Sequence, residues 1–356
     1  MKLICILFVV LTCVCLTGCG RQAEQQTIPE AKPVIEQPTV PEQYIEQPST
    51  LVAVGKLEGK IAFVRDCGRN LGYDIFTVNA DGSDIKDITN NPNFDIWPSW
   101  SPDNSKIVFQ SEREWHKYPS IYTMNSDGTD VKCLTPEKTA CQFPAWSPDG
   151  KAITYSTSKY SHMGLQCLDV FEMDADGSNK KSAIPVVRNL HSTYSEVSSS
   201  WFPDSQNIAL ASNLLNVWDI YTEKMGDDST RHRYDIFIDR TRGLRFTQEG
   251  NINTYQPKTI PALSVSPDGK EIAFDYQNMV WGSRDIYILS LADKSVRCLT
   301  CGLDGDSYFP SWSPDGSVVA FTYEADGNTD IYIINKDGTN PRLLIENGMF
   351  PSWSRK

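Results

Sequence analysis

Short alternating apolar and polar stretches recur along the chain from about residue 58 onward. One type follows a Ser-Pro-Asp turn, as in Lys106–Phe109 and Ala152–Tyr155. A second type reads Asp or Ser, then Ile or Val, then an aromatic residue, as in Asp74–Phe76 and Ser120–Tyr122. This alternation predicts β-strands with a buried face, and no stretch has the period of a helix.

The strands are arranged around a repeated block, Pro-Ser-Trp-Ser-Pro-Asp-Gly. Six near-copies of it occur. The position before the second proline of the block corresponds to residues 101, 147, 202, 266, 313 and 354, so the intervals are 46, 55, 64, 47 and 41 residues. Proline presets the first corner of a turn, and glycine accepts the left-handed position that closes it. Self-similarity at this period predicts a propeller or a solenoid.

Four of the repeats also contain an Asp-Gly pair, for which we predict a tight hairpin of the primed-turn type: Asp81-Gly82, Asp127-Gly128, Asp176-Gly177 and Asp337-Gly338. A short outer strand ending in Leu-Thr or Ile-Thr follows. Four antiparallel strands in each of six repeats predict an all-β fold, a six-bladed β-propeller over residues 58–356.

The two ends of the repeat region are complementary. The first repeat begins at Lys60–Phe63 without an inner strand, and the chain ends on Pro351–Ser354, an inner strand without a blade. We therefore expect the C-terminal strand to complete the first blade and to close the ring without an open edge.

These blocks resemble the repeats of the TolB-like propeller family over residues 58–356. The resemblance implies a protein of the bacterial cell envelope that docks an envelope protein on its axial face. Some propellers of this family are oligogalacturonate lyases with a histidine-rich metal site at the axis, so a carbohydrate-binding or lyase-like role is the alternative.

The N-terminal residues predict export and lipidation. Residues 1–18 read as a lipoprotein signal peptide, and Leu16-Thr-Gly-Cys19 matches a lipobox that predicts acylation of Cys19. Residues 19–57 are rich in Pro, Gln and Glu and predict an extended tether. Gly20 after the cysteine indicates an outer membrane facing the periplasm or an exposed cell surface.

Charge narrows the choice of partners. The full chain has a formal net charge of −12, which argues against binding nucleic acid. We expect a monomeric propeller that meets the membrane through its lipid and binds an envelope protein.

Six cysteines remain after the signal peptide and the lipidated residue. Cys133 and Cys298 are equivalent outer-strand positions, and Cys141 and Cys301 follow them. The duplication predicts two local disulfides, with free thiols as the alternative. The pairing of Cys67 and Cys167 stays open.

No catalytic signature is present in the sequence. There is no Gly-x-Ser-x-Gly motif, and the four histidines, at 116, 162, 191 and 232, are scattered over loops without metal-ligand spacing. Asp174-Ala-Asp176 resembles the start of a calcium loop but coincides with a hairpin turn. We predict no enzyme activity, no metal site and no cofactor.

The loops that lead into the inner strands converge on the axis. We predict that they form a binding face, to which these residues contribute: Asp95, Trp97, Gln142, Phe143, Glu196, Asp306, Tyr308, Phe309 and Phe350. The aromatic residues either pack between blades or line a mouth for a peptide or sugar. Asp95, Glu196 and Asp306 are expected to add negative charge.

Two long intervals indicate insertions. We place the extra segment of blade four within residues 213–233 and that of blade three around residues 185–197. In blade four, either Asp219–Thr222 or Asp235–Phe237 is the third strand.

Overall fold

The computed structural model describes residues 57–68, 72–113, 118–136, 139–160, 166–183, 196–212, 219–234, 238–239, 243–244, 262–277 and 283–355. They lie within a unit that spans Val54–Lys356. In chain order the strands are β1 (Lys60–Asp66), β2 (Tyr73–Asn79), β3 (Lys86–Asp87), β4 (Asp95–Trp100), β5 (Lys106–Ser111), β6 (Ser120–Asn125), β7 (Lys132–Cys133), β8 (Cys141–Trp146), β9 (Ala152–Tyr160), β10 (Gln166–Asp174), β11 (Lys181–Ser182), β12 (Glu196–Trp201), β13 (Asn207–Ser212), β14 (Asp219–Lys224), β15 (Asp227–Tyr234), β16 (Ile238–Asp239), β17 (Gly243–Leu244), β18 (Leu263–Val265), β19 (Glu271–Gln277), β20 (Arg284–Ser290), β21 (Val296–Cys298), β22 (Asp306–Trp312), β23 (Val318–Ala325), β24 (Asn328–Asn335), β25 (Arg342–Ile345) and β26 (Met349–Trp353).

These strands form the six-bladed propeller that the repeats predict. From inner to outer strand the blades are β26-β1-β2-β3, β4-β5-β6-β7, β8-β9-β10-β11, β12-β13-β14-β15, β18-β19-β20-β21 and β22-β23-β24-β25, numbered one to six below. A separate pair, β16-β17, follows blade four. All strand neighbours within the blades are antiparallel, as expected for a chain that turns back after each strand.

The ring closes through its last strand, which confirms the predicted clasp. In blade one, β26 pairs with β1 so that Trp353 lies opposite Ile61. Beyond the strand, the Ser354 N–H donates to the Lys60 carbonyl at 2.7 Å, and the Lys60 N–H donates to Ser354 Oγ at 2.8 Å. The inner edge of β1 is therefore paired.

The hydrophobic core is divided among the interfaces between blades. Each of six clusters of buried side chains joins two adjacent blades. The second strands contribute their fully buried aromatics, Phe63, Phe109, Phe274 and Phe321. Inner-strand tryptophans cross between neighbours, since the Trp100 indole donates to the Ser352 carbonyl at 3.1 Å. Each blade thus buries its apolar face against the next.

The Ser-Pro-Asp turns form as their residues predict. In the turn after β4, the Asn104 N–H donates to the Ser101 carbonyl at 2.9 Å, and the Ser101 hydroxyl lies 2.6 Å from Asp103 Oδ1. The fourth residue has a positive φ, 73° at Gly150 and 70° at Gly269. Glycine favours this left-handed conformation.

The Asp-Gly hairpins differ from the prediction. A primed turn of type I′ requires positive φ at both central residues, but in the first hairpin φ is positive at Gly82 (85°) and not at Asp81. The Asn79 N–H donates to the Ser83 carbonyl at 2.9 Å, and the Gly82 N–H donates back to the Asn79 carbonyl. The loop therefore holds three residues with a left-handed glycine, and the primed-turn prediction is wrong.

The paired motifs Asp-Ile-aromatic and Leu-Thr have a shared structural role. In blade five the Thr300 hydroxyl accepts the Ile286 N–H at 2.9 Å and lies 3.2 Å from Asp285 Oδ1. Blade one repeats the arrangement with Thr89, Ile75 and Asp74. We call this contact the Asp–Thr lock, since it holds the start of the third strand to the end of the outer strand.

Blade four corrects the predicted position of its insertion. The third strand is β14, which contains Asp219–Thr222, and β15 is the outer strand. These strands occupy most of the range 213–233 that we assigned to the insertion, with only Tyr234 beyond it, so the extra residues instead follow Tyr234 and precede blade five. Residues 235–237 and most of 185–197 lie outside the described residues.

Candidate functional site: the axial mouth

The inner strands of all six blades surround an axial channel. Its volume is about 530 Å³. Aromatic side chains lie where the inner strands begin, and the Ser-Pro turns lie where they end. At that second end, prolines of five blades and Arg355, at the corresponding place of the sixth, line the channel.

A backbone bulge places the aromatic residues at the channel. Four aromatics have φ between 52° and 55°: Trp97, Phe143, Phe309 and Phe350. The pairing of each inner strand with its neighbour shifts register around these positions, for example between Ile96 and Ser99. Bulges of this kind re-aim a side chain.

The same four residues form one contiguous cluster, here called the aromatic arc. The ring centroids of Trp97 and Phe143 are 4.0 Å apart, those of Trp97 and Phe350 are 6.1 Å apart, and those of Phe309 and Phe350 are 4.6 Å apart. All four side chains are half-buried and line the channel. These rings therefore pack against one another between blades and also line the channel.

The arc covers blades six, one, two and three and is interrupted on the other two. Small residues, Ser198 and Ala262, line the channel at the corresponding positions of blades four and five. The mouth, defined as the aromatic arc with Ser198 and Ala262, is thus asymmetric, with aromatic rings on four blades and small side chains on the other two.

The prediction that Asp95 adds negative charge at the mouth is wrong. This residue lies in β4 rather than in a loop, and it is fully buried. Its carboxylate forms an ion pair with Arg113, at 2.6 Å, and accepts a hydrogen bond from the Asn91 side chain. Asp95 is therefore a structural anchor, since breaking a buried pair costs stability.

Three other residues predicted for the binding face are on inner strands but are not among the residues that line the channel: Asp306, Gln142 and Tyr308. Asp306 is half-buried and accepts the Arg284 backbone N–H at 2.9 Å. Gln142 is half-buried in β8, and the Tyr308 hydroxyl lies 2.8 Å from Glu324 Oε2. Burial and the adjacent Glu324 raise the pKa of Tyr308. The side chain of Glu196 lies outside the described residues.

A second buried ion pair, which no sequence pattern indicates, supports the arc. Asp275 is fully buried and pairs with Arg284 at 3.0 Å. Its carboxylate also accepts the Phe309 N–H at 2.9 Å, and the Arg284 guanidinium lies 5.0 Å from the Tyr308 ring centroid and 5.5 Å from that of Phe309. No repeat signal marks Asp275, because the corresponding position of blade one is Val64.

Of the two predicted disulfides, one is formed and the other is not. Cys298 and Cys301 form the predicted disulfide. No disulfide joins Cys133 to Cys141 in the described part of the chain, so that prediction is wrong. Cys133 packs against the cluster between blades one and two, whereas Cys141 belongs to the cluster between blades two and three.

Several predicted sites are untested. Cys19, the signal peptide, the tether up to residue 56 and the side chains of all four histidines and Cys167 lie outside the described residues. In the residues that are described, no helix has the length and apolar character needed to cross a membrane.

The fold and its mouth define a six-bladed propeller with an aromatic-lined axial channel. The model of the TolB beta propeller domain, PD40, matches residues 60–182. The chain therefore contains TolB-type propeller repeats, and what it shares with TolB is distant and partial.

Sequence relatives are similar over short segments. A TolB homolog from Chlorobium luteolum is 35% identical over 98 residues, which cover 26% of this chain and 21% of the relative. One from Chlorobaculum tepidum is 33% identical over 86 residues, 24% of this chain and 19% of the relative. The chain thus matches about a fifth of the length of these curated relatives.

Solved structures share the fold over more of the chain. TolB from Acinetobacter baumannii superposes with a TM-score of 0.64 at 21% identity, covering 85% of this chain and 68% of that one. Hydrazine synthase from Kuenenia stuttgartiensis gives a TM-score of 0.60 at 16% identity, covering 84% and 47%. Identities this low show the fold alone, which hosts unrelated functions.

Proposed function

We propose that this chain is a lipid-anchored protein of the bacterial cell envelope whose propeller binds a protein partner at the axial mouth without catalysing a reaction. The lipobox at Cys19 and the tether after it support the anchor. The observation that carries the binding role is the aromatic arc, a contiguous set of half-buried rings on four adjacent blades.

The chemistry of the mouth suits a protein surface. Aromatic anchors held on a rigid scaffold supply contact area at a small cost in conformational entropy, and such residues dominate the energetics of protein interfaces. The small side chains of Ser198 and Ala262 make the mouth asymmetric, which suits an asymmetric protein surface. Serine hydroxyls and backbone groups of the inner strands add polar contacts along the channel.

Charge has a smaller role in this proposal than the sequence suggests. The carboxylates nearest the arc, Asp95 and Asp275, are each held by an arginine. Since those charges are paired and buried, we expect apolar contact with the arc to set affinity, and the exposed acids of the surface to affect mainly the association rate.

The experiment replaces aromatics at the two ends of the arc. We would first identify the envelope protein that cross-links to the parent chain and then measure its affinity for the purified Phe143→Ala and Phe309→Ala variants. Each is expected to weaken binding about thirtyfold, the effect of losing about 2 kcal/mol at an interface anchor. Thermal melting checks that each variant is folded.

Matched controls come from exposed apolar residues on the outer strands and hairpins. Ile85→Ala and Leu343→Ala remove side chains that are 44% and 43% exposed and lie away from the channel. They should leave affinity unchanged. Equal affinity for the arc variants and the parent would refute the mouth as the binding surface. Cleavage of an acidic oligosaccharide by the purified chain would replace the proposal with the lyase-like alternative.

A further inference from the structure

In blade one, one of the two carboxylate oxygens of Asp74 has no hydrogen-bond donor among the described residues. Asp74 is fully buried near the start of β2. Its Oδ1 accepts the Thr89 hydroxyl at 3.2 Å and the Asn91 N–H at 3.0 Å. Its Oδ2 is also buried and accepts no hydrogen bond from the described residues. A buried carboxylate oxygen without a donor costs free energy, and a cation is a partner that removes this cost.

Two further ligand groups point to the same place. Cys67, just after β1, is half-buried, and Asp87, at the end of β3, is exposed. The Cys67 sulfur and one carboxylate oxygen each of Asp74 and Asp87 lie within 4.8 Å of one another. They meet because β1, β2 and β3 are adjacent antiparallel strands, so the end of β1, the start of β2 and the end of β3 share one edge.

We propose that Cys67, Asp74 and Asp87 bind one divalent transition-metal ion of the Zn²⁺ class. A thiolate favours zinc over magnesium or calcium, which prefer all-oxygen sites. Three protein ligands leave a fourth tetrahedral position for water. On binding, the Cys67 thiol releases its proton to solvent and the sulfur coordinates as the thiolate.

The geometry requires a modest adjustment. With metal–ligand bonds of about 2.0–2.3 Å, tetrahedral ligand atoms lie roughly 3.5 Å apart. Since the ligand atoms lie within 4.8 Å of one another, the cluster has to close by at most about 1.3 Å. Asp74 is held by the Asp–Thr lock, whereas Cys67 is half-buried and Asp87 is exposed, so we assign the adjustment to these two side chains.

Blade five has a related cluster at the equivalent place in the repeat. Asp285 corresponds to Asp74, and Cys298 corresponds to Asp87; together with Cys301 they form another group whose ligand atoms lie within 4.8 Å. There the two sulfurs are joined as a disulfide, so neither is a thiolate ligand. While the Cys298–Cys301 disulfide is intact, blade five therefore offers no thiolate ligand. We assign the metal site to the cluster in blade one.

The test is a cobalt titration of the purified full chain without added reductant. Co²⁺ reports thiolate coordination by a sulfur-to-cobalt absorption band, and competition with Zn²⁺ gives the affinity for zinc. We expect one equivalent of Co²⁺ with the band in the parent. Cys67→Ser should abolish the band, and Asp87→Asn should weaken binding at least about tenfold.

The variants are chosen to remain folded. An asparagine at position 87 keeps an oxygen for the Thr89 and Asn90 N–H groups that Asp87 Oδ1 accepts. Cys133→Ser is the matched control, because Cys133 is a half-buried cysteine on the outer strand of blade two. Absence of the band in the parent, a band that survives Cys67→Ser, or a band lost in Cys133→Ser would each overturn the proposal.

Discussion

At the residue scale, the hairpin glycines show how closely the blades approach each other. A Cβ atom on Gly128, whose φ is +88°, would lie 2.1 Å from the Ile88 carbonyl oxygen of blade one. Gly128→Ala combines a left-handed backbone with a clash against a main-chain atom, so we expect it to lower the free energy of unfolding by about 3 kcal/mol. Denaturant unfolding measures the loss.

The matched control for that change is Gly226. Its φ is +77°, but nothing lies within 4 Å of a built Cβ. Gly226→Ala should therefore cost only the backbone term, about 1 kcal/mol. Equal losses for the two variants would show that the contact with Ile88 has no energetic role.

The lowered pKa values of the turn aspartates predict that the stability of the folded protein falls at acid pH. The Ser101 hydroxyl and the Ser105 N–H hold the pKa of Asp103 below its ordinary value of 3.8, and the Ser290 hydroxyl helps to lower the pKa of Asp293 to about 2. Because the folded pKa is depressed, the stabilisation is present above about pH 4 and is lost as pH falls through the folded pKa. The difference in melting temperature between the parent and Asp103→Asn should therefore narrow from pH 5 to pH 2. A constant difference across this range would contradict the assignment.

At the scale of the element, the Asp–Thr lock holds the third and outer strands of a blade together. Thr300 is buried and serves both the Ile286 N–H and the Asp285 carboxylate. Thr300→Val removes both contacts and leaves buried polar groups unpaired, so we expect a loss of about 2 kcal/mol in the free energy of unfolding. Chemical denaturation measures it.

Thr123→Val is the control for the lock. Thr123 is buried on the third strand of blade two, and its hydroxyl has no hydrogen-bond partner among the described residues. This variant should change stability by less than about 0.5 kcal/mol, since no bond is broken. A similar loss in both variants would mean that the effect comes from the shape of valine and not from the lock.

At the scale of the whole molecule, the ring depends on its last strand. Deleting Pro351–Lys356 removes most of β26 and exposes the inner edge of β1. We expect loss of the cooperative thermal transition, or aggregation. Trp353→Ala should cost about 3–5 kcal/mol, because the indole is buried and donates to the Glu58 carbonyl at 2.9 Å.

A shorter deletion distinguishes the loss of the closing strand from the mere loss of C-terminal residues. Removing Arg355 and Lys356 leaves β26 intact and should preserve the melting temperature within a few degrees. An unchanged melting temperature after the six-residue deletion would refute the role of the clasp.

Anchoring is also a property of the whole molecule. We expect Cys19→Ala to move the protein from the membrane to the soluble fraction or to block its processing, since the acylated cysteine is the proposed anchor. Fractionation with immunodetection measures this. A processed variant that stays in the membrane would contradict the lipid anchor.

Local chemistry made most of the fold predictable. The Ser-Pro-Asp turns and the alternating strands indicate blade number and strand number, because each depends on residues close together in the chain. Closure joins distant residues, and it was predictable because the first repeat lacks the inner strand that the last residues supply. The aromatics at 97, 143, 309 and 350 were predicted for the same reason, since they occupy one register of the repeat.

Tertiary structure decided what depends on contacts between strands and between blades. Asp95 and Asp275 are buried and paired with Arg113 and Arg284, which lie on or beside other strands of the same blades. Cys133 and Cys141 face different interfaces, so proximity in sequence did not make a disulfide. In blade four, strand pairing and not motif similarity selected Asp219–Thr222 as the third strand. The sequence by itself determined the repeated unit, whereas contacts between strands, within a blade and between blades, determined which polar groups are paired or buried and which side chains line the channel.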